Sequence, residues 1–342
     1  MNLNVVLPLS SSILSFVFFA FLIDQWRERR RPYQLIWAIG MLWYGLSAGT
    51  EFLGGAVGWS EPLYRVWYLI GAIWVAGWLG LGTVFLLART RFGFAFALSI
   101  GLAGLFTYLT SVKTPYPNSG QAPEVYGLVG LVLAIAIVVL TARRDERWTW
   151  LAAGAIVGGS ILSLVMVFAA PLAAPGYALD ARTHIPVGTL LPGTIRLLTP
   201  FFNITGAFAL TFGALYSAYV FMPKRRVIRY DLRRTWNPLR FAVGLVAVVV
   251  NFIASIPGAV VALFAGRLNT RVPATILLAI GGFIPAITSG LNRFGATSGF
   301  FVGEFLGVLF LFAGFLVSVE VFREIRVPFT HVVLRRRAAE AV

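Results

Sequence analysis

The chain has 342 residues, of which 58% are hydrophobic and only 12% charged, with a formal net charge of +15 and no cysteine. Soluble globular domains carry about 25% charged residues, so this composition excludes that class for most of the chain. With no cysteine, disulfides, thiol catalysis and Cys-ligated zinc or iron–sulfur clusters are excluded too.

The charge deficit is not spread evenly. Apolar runs of roughly 18 to 27 residues alternate with short basic loops, and each run can span a hydrocarbon core of about 30 Å. A basic excess can signal nucleic-acid binding. Here the arginines sit between apolar runs, where the positive-inside rule places them. The partner they imply is a bilayer with anionic headgroups, at about 1 kcal/mol per basic residue near the surface, and not nucleic acid.

The first run, 5–23, has no basic residue ahead of it and no A-x-A cleavage pattern, which fits an uncleaved helix. Asp24 to Arg31 follows with four arginines, so the N-terminus is expected outside and this loop in the cytoplasm. Helices are predicted over 34–57 and 63–88, then Arg89 and Arg91 inside, then 94–112. The outer loop 113–124 is rich in turn residues. A helix over 125–142 leads to Arg143, Arg144 and Arg147 inside, and another over 148–171 to a proline-rich outer segment, 172–194. The run 196–222 completes seven helices and ends at the most basic loop of the chain, 223–240.

In helix count, and in the scattered Trp and Glu of its second and third helices, the region 1–222 resembles the seven-helix N-terminal region of some bacterial sensor proteins. The resemblance assigns no residue roles. A sensor kinase would continue into a soluble catalytic domain, whereas this chain continues with more apolar runs.

Those runs are 241–266, 273–290 and 299–322, followed by a basic tail, 323–342. If all three cross, the bundle has ten helices and 17 of its 28 basic residues lie inside. If 241–266 enters and returns on one side, 23 of the 28 lie inside and the tail is cytoplasmic. The positive-inside rule favours the second arrangement. Ser255-Ile256-Pro257-Gly258, near the middle of the run, offers a turn, and each arm would be about 20 Å long, too short to cross. The expected fold is therefore an all-α polytopic bundle of about nine transmembrane helices plus one re-entrant hairpin. Ten helices are the alternative.

Ionisable residues inside apolar runs are costly, about 2.5–3.5 kcal/mol or more at bilayer depth, and mark candidate sites. Glu51 and Glu304 lie in the outer thirds of their runs. Arg65, Arg196 and Arg293 sit at helix ends on the same side, and Asn203 and Asn251 are polar positions within helices. The nine-helix arrangement gathers these carboxylates and guanidiniums in the outer leaflet. They form either a polar site for an ion or small solute, or structural ion pairs between helices. Trp67, Trp74 and Trp78 share one face of a regular helix, Trp67 fitting an interfacial belt. Gly45/Gly49 and Gly154/Gly158 have the spacing of close helix contacts. Asp180 and His184 are the nearest approach to a metal motif, without a third ligand. His331 reads as a surface residue of the tail. No Walker loop and no intrahelical lysine occur, so neither an ATPase engine nor a retinal Schiff base is expected.

Nothing marks a catalytic or cofactor site. The expectation is a multi-pass protein of a bacterial-type plasma membrane that acts as a transporter or channel for an ion or small charged solute. The alternatives are a non-catalytic sensor or structural subunit, and a membrane enzyme acting on lipid.

Overall fold

In the computed structural model the apolar runs become helices, as they must where no water is present to bond a free backbone N–H or C=O. The structure describes residues 3–113, 116–173, 190–229, 238–293, 299–318, 324–330 and 332–336, with 178–179, 181 and 186–187 from the long loop. Asp180, His184 and His331 lie outside them.

Helix α1 (Leu3–Arg29) is followed by α2 (Pro32–Val57). The third span joins α3 (Glu61–Trp67), a π-helical stretch (Tyr68–Trp74) and α4 (Val75–Leu86). Next come α5 (Gly93–Lys113), α6 (Ala122–Ala142) and α7 (Arg147–Ala169). Short α8 (Gly193–Arg196) leads into α9 (Leu198–Phe221), and α10 (Pro238–Phe264), α11 (Arg271–Arg293) and α12 (Phe300–Val317) complete the bundle. Two small antiparallel ladders lie outside it: β1 (Ala178–Leu179) with β2 (Pro186–Val187), and β3 (Glu324–Arg326) with β4 (Val333–Arg336). Among the described residues, nine helices are long and apolar enough to cross a membrane. The all-α membrane bundle expected from composition is the observed class.

Two cores form side by side. One collects Tyr64, Trp67, Tyr68, Ile73, Phe96, Trp148 and Phe202 from the third span, α5, α7 and α9. The other collects Phe18, Trp37, Met41, Tyr44, Leu311 and Phe315 from α1, α2 and α12, with Leu79 of α4 and Leu210 of α9. Lipid tails are as apolar as these side chains, so close packing rather than water exclusion must hold the helices together. Gly206 meets the third span so closely that a Cβ there would lie 2.1 Å from the Ala76 carbonyl oxygen. Gly45 and Gly49 do admit a neighbour, the Phe16 ring and Ser12 hydroxyl of α1. Gly154 and Gly158 have nothing within 4 Å of a Cβ.

The basic loops share one face of the bundle. Arg89 pairs with Glu146 at 3.4 Å, joining the loops after α4 and α6. The turn between β3 and β4 docks beside the end of α1, where the Phe329 N–H donates to Asp24 at 3.1 Å.

The re-entrant hairpin is not formed. α10 is one continuous helix through Pro257, and Ser255 to Gly258 make no reversal. A hairpin apex would press a second arm against Gly258, yet nothing lies within 4 Å of a Cβ built there. Breaking the helix would strand backbone groups in lipid, whereas one proline removes a single donor. The parity inferred from charge nevertheless agrees with the packing. α11 runs antiparallel to α9: Arg271 stacks on Phe221, 4.3 Å from the ring centroid, while Gly282 packs on Leu210 and Thr211. The end of α9 and the start of α11 therefore lie on one face, and the segment between them makes no net crossing. α10 meets the rest of the described protein at that face, through Ala259 against Ala218, Met222 and Val272. By length and apolarity α10 counts among the nine helices that could cross and α2 does not, so the packing of α11 on α9, and not hydropathy, is what sets α10 apart from the crossings.

Single cysteines report this arrangement directly. With an impermeant maleimide, Asn269→Cys and Asp145→Cys should label from the same side of the membrane and Ser119→Cys from the other; opposite labelling of 269 and 145 would mean that α10 crosses. Gly206→Val should lower thermal stability in detergent by about 1–3 kcal/mol through overpacking, with Gly158→Ala near neutral.

Candidate functional site

Where the two cores meet, towards the face opposite the basic loops, a cavity of about 600 Å³ opens between α2, the third span, α9, α11 and α12. Two carboxyl groups stand on its wall. Glu51 is about 9 Å along the axis from the end of α2, and Glu304 stands in the second turn of α12.

Helical spacing explains what surrounds Glu51. Tyr44 and Ser47 lie seven and four residues before it, on the same face of α2, and both line the cavity. Glu51 is 2% exposed, and its Oε1 accepts a hydrogen bond from the Trp67 indole at 2.8 Å. Across the cavity the Tyr44 hydroxyl donates to the backbone carbonyl of Glu304 at 2.7 Å, fixing α2 against α12. Glycine on either side of Glu304 lets α11 close in. A Cβ at Gly303 would lie 2.3 Å from the Thr288 hydroxyl, and one at Gly307 would lie 2.1 Å from the Pro285 ring. The two carboxyl groups consequently face one another at interaction distance. Among the described residues no cation pairs with either, and apart from the facing carboxyl no donor reaches the buried Oε2 of either.

The third span supplies the far wall. The Tyr68 hydroxyl shares a hydrogen bond of 3.0 Å with Thr199 of α9, and Asn203 donates to the Ala72 carbonyl at 3.1 Å. The π winding matters here. Seven residues make nearly two turns of α-helix, so Trp67 and Trp74 should share a face; the looser π turns rotate them apart. Trp67 faces α2 and Glu51, while Trp74 and Trp78 donate to Ser163 and Ser160 of α7. The interfacial-belt reading of Trp67 is thus corrected. Gly71, within the π stretch, lies so near α2 that a Cβ there would meet the Ser47 hydroxyl at 2.2 Å.

Of the seven residues singled out from sequence, Glu51, Glu304, Arg196 and Asn203 line this cavity. Arg196 stacks over Tyr116 at 4.7 Å from the ring centroid. Arg65 is elsewhere. It pairs with Glu61 at 2.7 Å and donates to the carbonyls of Val167 and Ala170, satisfying the last turn of α7. Asn251 lies at the basic face, where its side chain accepts from the amides of Val227 and Ile228 and donates to the Ile228 carbonyl. The side chain of Arg293 is outside the described residues, though Asn292 beside it lines the cavity. Sequence reasoning passed over Tyr44, whose seven-residue spacing from Glu51 was the available signal.

Comparison of the chain with protein families, characterised proteins and solved structures finds no match. Among the described residues no group of three His, Asp or Glu side chains is placed to hold a metal ion.

The arginine and tryptophan contacts separate fold from site. Trp67→Phe removes a donor to a buried carboxyl, and should cost about 1–3 kcal/mol of stability in thermal unfolding followed by fluorescence in detergent. Arg65→Ala should cost a similar amount by freeing the α7 carbonyls, and should leave any binding in the cavity unchanged.

Proposed function

We propose that the protein is a secondary transporter or channel that moves a small charged solute across a bacterial-type plasma membrane, with the Glu51–Glu304 pair as its working site. In this reading the basic face lies in the cytoplasm, the N-terminus outside, and the cavity opens toward the outer leaflet. The positive-inside rule supports the orientation, since the loops ending in Arg27 to Arg31, Arg143 to Arg147 and Lys224 to Arg229 all belong to one face.

One observation carries the proposal: two carboxyl groups from helices distant in sequence are brought together inside the bundle with no cation paired to either among the described residues. Helix packing alone gives no reason for this. Each ionised carboxylate at such depth costs about 2.5–3.5 kcal/mol or more, and apolar residues would pack the same space. Two carboxylates in contact repel one another until a proton or another cation sits between them. A site that must hold a proton or a cation, and that opens into a cavity, is one that can load and release it. The π stretch beside it adds to the case, since such windings occur frequently at functional sites.

Reconstitution into liposomes tests this. With a pH-sensitive dye inside, wild-type protein should couple proton movement to the addition of a transported solute. Glu51→Gln and Glu304→Gln, shaped like the protonated groups, should elute and unfold as wild type does and lose that flux. Should wild type move nothing while both variants lose stability, the pair is a structural element and the transporter reading falls.

A further inference from the structure

Resting on that reading, the walls of the cavity point to the class of solute. We infer that the carboxyl pair binds an organic cation, an ammonium or phosphonium group carrying an apolar body, in exchange for a proton.

The chemistry of the lining selects among charged ligands. The buried Oε2 atoms of Glu51 and Glu304 have no donor among the described residues other than the facing carboxyl, and both acids stand on the wall of a cavity of about 600 Å³. That volume suits a molecule of drug size. Beside the acids stand the rings of Tyr44, Trp67, Tyr68 and Phe300. Trp67 is fixed by its bond to Glu51, and Tyr68 by its bond to Thr199. Aromatic faces attract cations, most strongly where water is excluded. Much of the remaining wall is aliphatic, from Val75, Leu79, Ile204 and Leu210.

Other ligands fit less well. A hard inorganic cation such as calcium or magnesium is held by a close shell of about six oxygens. This chamber is too wide and too apolar to supply one around a bare ion. An anion would need cationic partners. Arg196 is the one such side chain on the wall among the described residues, and it is stacked on Tyr116.

The exchange balances. Among the described residues, the titratable and charged groups on the wall are Tyr44 and Glu51 of α2, Tyr68 of the π stretch, Arg196 of α8 and Glu304 of α12, and the side chains that α11 contributes are neutral. A proton held between the two carboxyls keeps the pair at one negative charge. When the organic cation takes that place, the proton leaves, and no other bond forms or breaks.

Purified full-length protein in detergent, with tetraphenylphosphonium and benzyltrimethylammonium as probes, tests the inference by equilibrium dialysis. Saturable binding of at least one probe is expected, with close to one proton released per cation in weakly buffered solution. Glu51→Gln and Glu304→Gln should each weaken binding at least about tenfold, as expected when one partner of a buried charge contact is removed. Trp67→Phe keeps both acids and should weaken binding by a smaller factor.

Wild type that binds neither probe, or binding that both acid variants leave unchanged, overturns the inference. Benzoate binding lost in Arg196→Ala, with no cation bound, would assign an anionic solute instead, and sodium flux without cation binding an inorganic ion. Either result leaves the transporter reading standing. Absence of cation binding and of every flux in liposomes removes both.

Discussion

The structure depends on a single constraint: inside the hydrocarbon layer no water completes the bonding of a polar group. Many of the polar side chains in the bundle can be understood by asking what they bond in water's place. Ser160, Thr275 and Ser255 turn back to carbonyls four residues earlier in their own helices. Arg65 satisfies the end of α7. Asn251 and Ser255 meet the amides of the loop after α9, so the polar stripe of α10 is covered by backbone. Trp74 and Trp78 find serines on α7. Glu51 and Glu304 follow this pattern incompletely, since one buried oxygen of each meets no donor among the described residues apart from the facing carboxyl. Other buried polar atoms lack a partner among the described residues too, including the hydroxyls of Ser11, Ser15, Thr107 and Thr205 and the Trp43 indole; what sets the two acids apart is that both can carry charge and that they face one another on a cavity wall.

The same constraint explains where the cavity can be. Helices without a hydrophobic drive to associate rely on contact between small residues, and those contacts are unevenly placed. Gly80 and Gly206 bring α4 and α9 nearly backbone to backbone. Gly281, Gly303, Gly307 and Gly314 do the same for α11 and α12. Between these two tight seams the helices cannot also close completely, and the space that remains is the cavity. In the third span the Trp67 indole bonds Glu51 of α2, while the Trp74 indole bonds Ser163 of α7 and its ring packs on Trp43 of α2. One indole thus serves the carboxyl pair and the other holds the neighbouring core together.

Much of this was legible in the sequence, for identifiable reasons. Length and hydropathy of each run are local properties, and they placed the spans to within a few residues. The basic loops recorded the parity of the crossings, even though the device proposed to satisfy it, a hairpin at Pro257, was wrong. Proline and glycine in an apolar run admit a turn but do not compel one, and a single lost backbone bond is cheaper than two exposed helix ends. Glu51 and Glu304 were visible because charge in an apolar run is conspicuous. Their common depth followed from the parity of the crossings, but their direct approach did not, because it depends on α12 returning beside α2, a long-range contact with no local signal. The π stretch was hidden for a related reason: regular periodicity was assumed across Trp67 and Trp74. Arg65 illustrates the limit of depth as a guide, since it shares the level of the acids and yet bonds to a different helix.

The pair also bears on how such a site could change its exposure. Glu51 is tied to the third span through Trp67, and Glu304 to α2 through Tyr44. The helices that carry the two carboxyls, α2 and α12, are thus linked by the Tyr44 bond, while the Trp67 bond ties α2 to the third span. In the proposed exchange, a charge that enters or leaves between them would alter their repulsion, and with it any balance between a closed and an open arrangement of α2 and α12. A ligand shifts such an equilibrium only by its difference in affinity for the two arrangements. A proton and a bulky cation differ most in the space they require, so exchange of one for the other at this position is the change best able to drive α12 away from α2. The glycine seam between α11 and α12 would carry α11 along with it, and the wall that α11 forms would move with the charge it encloses.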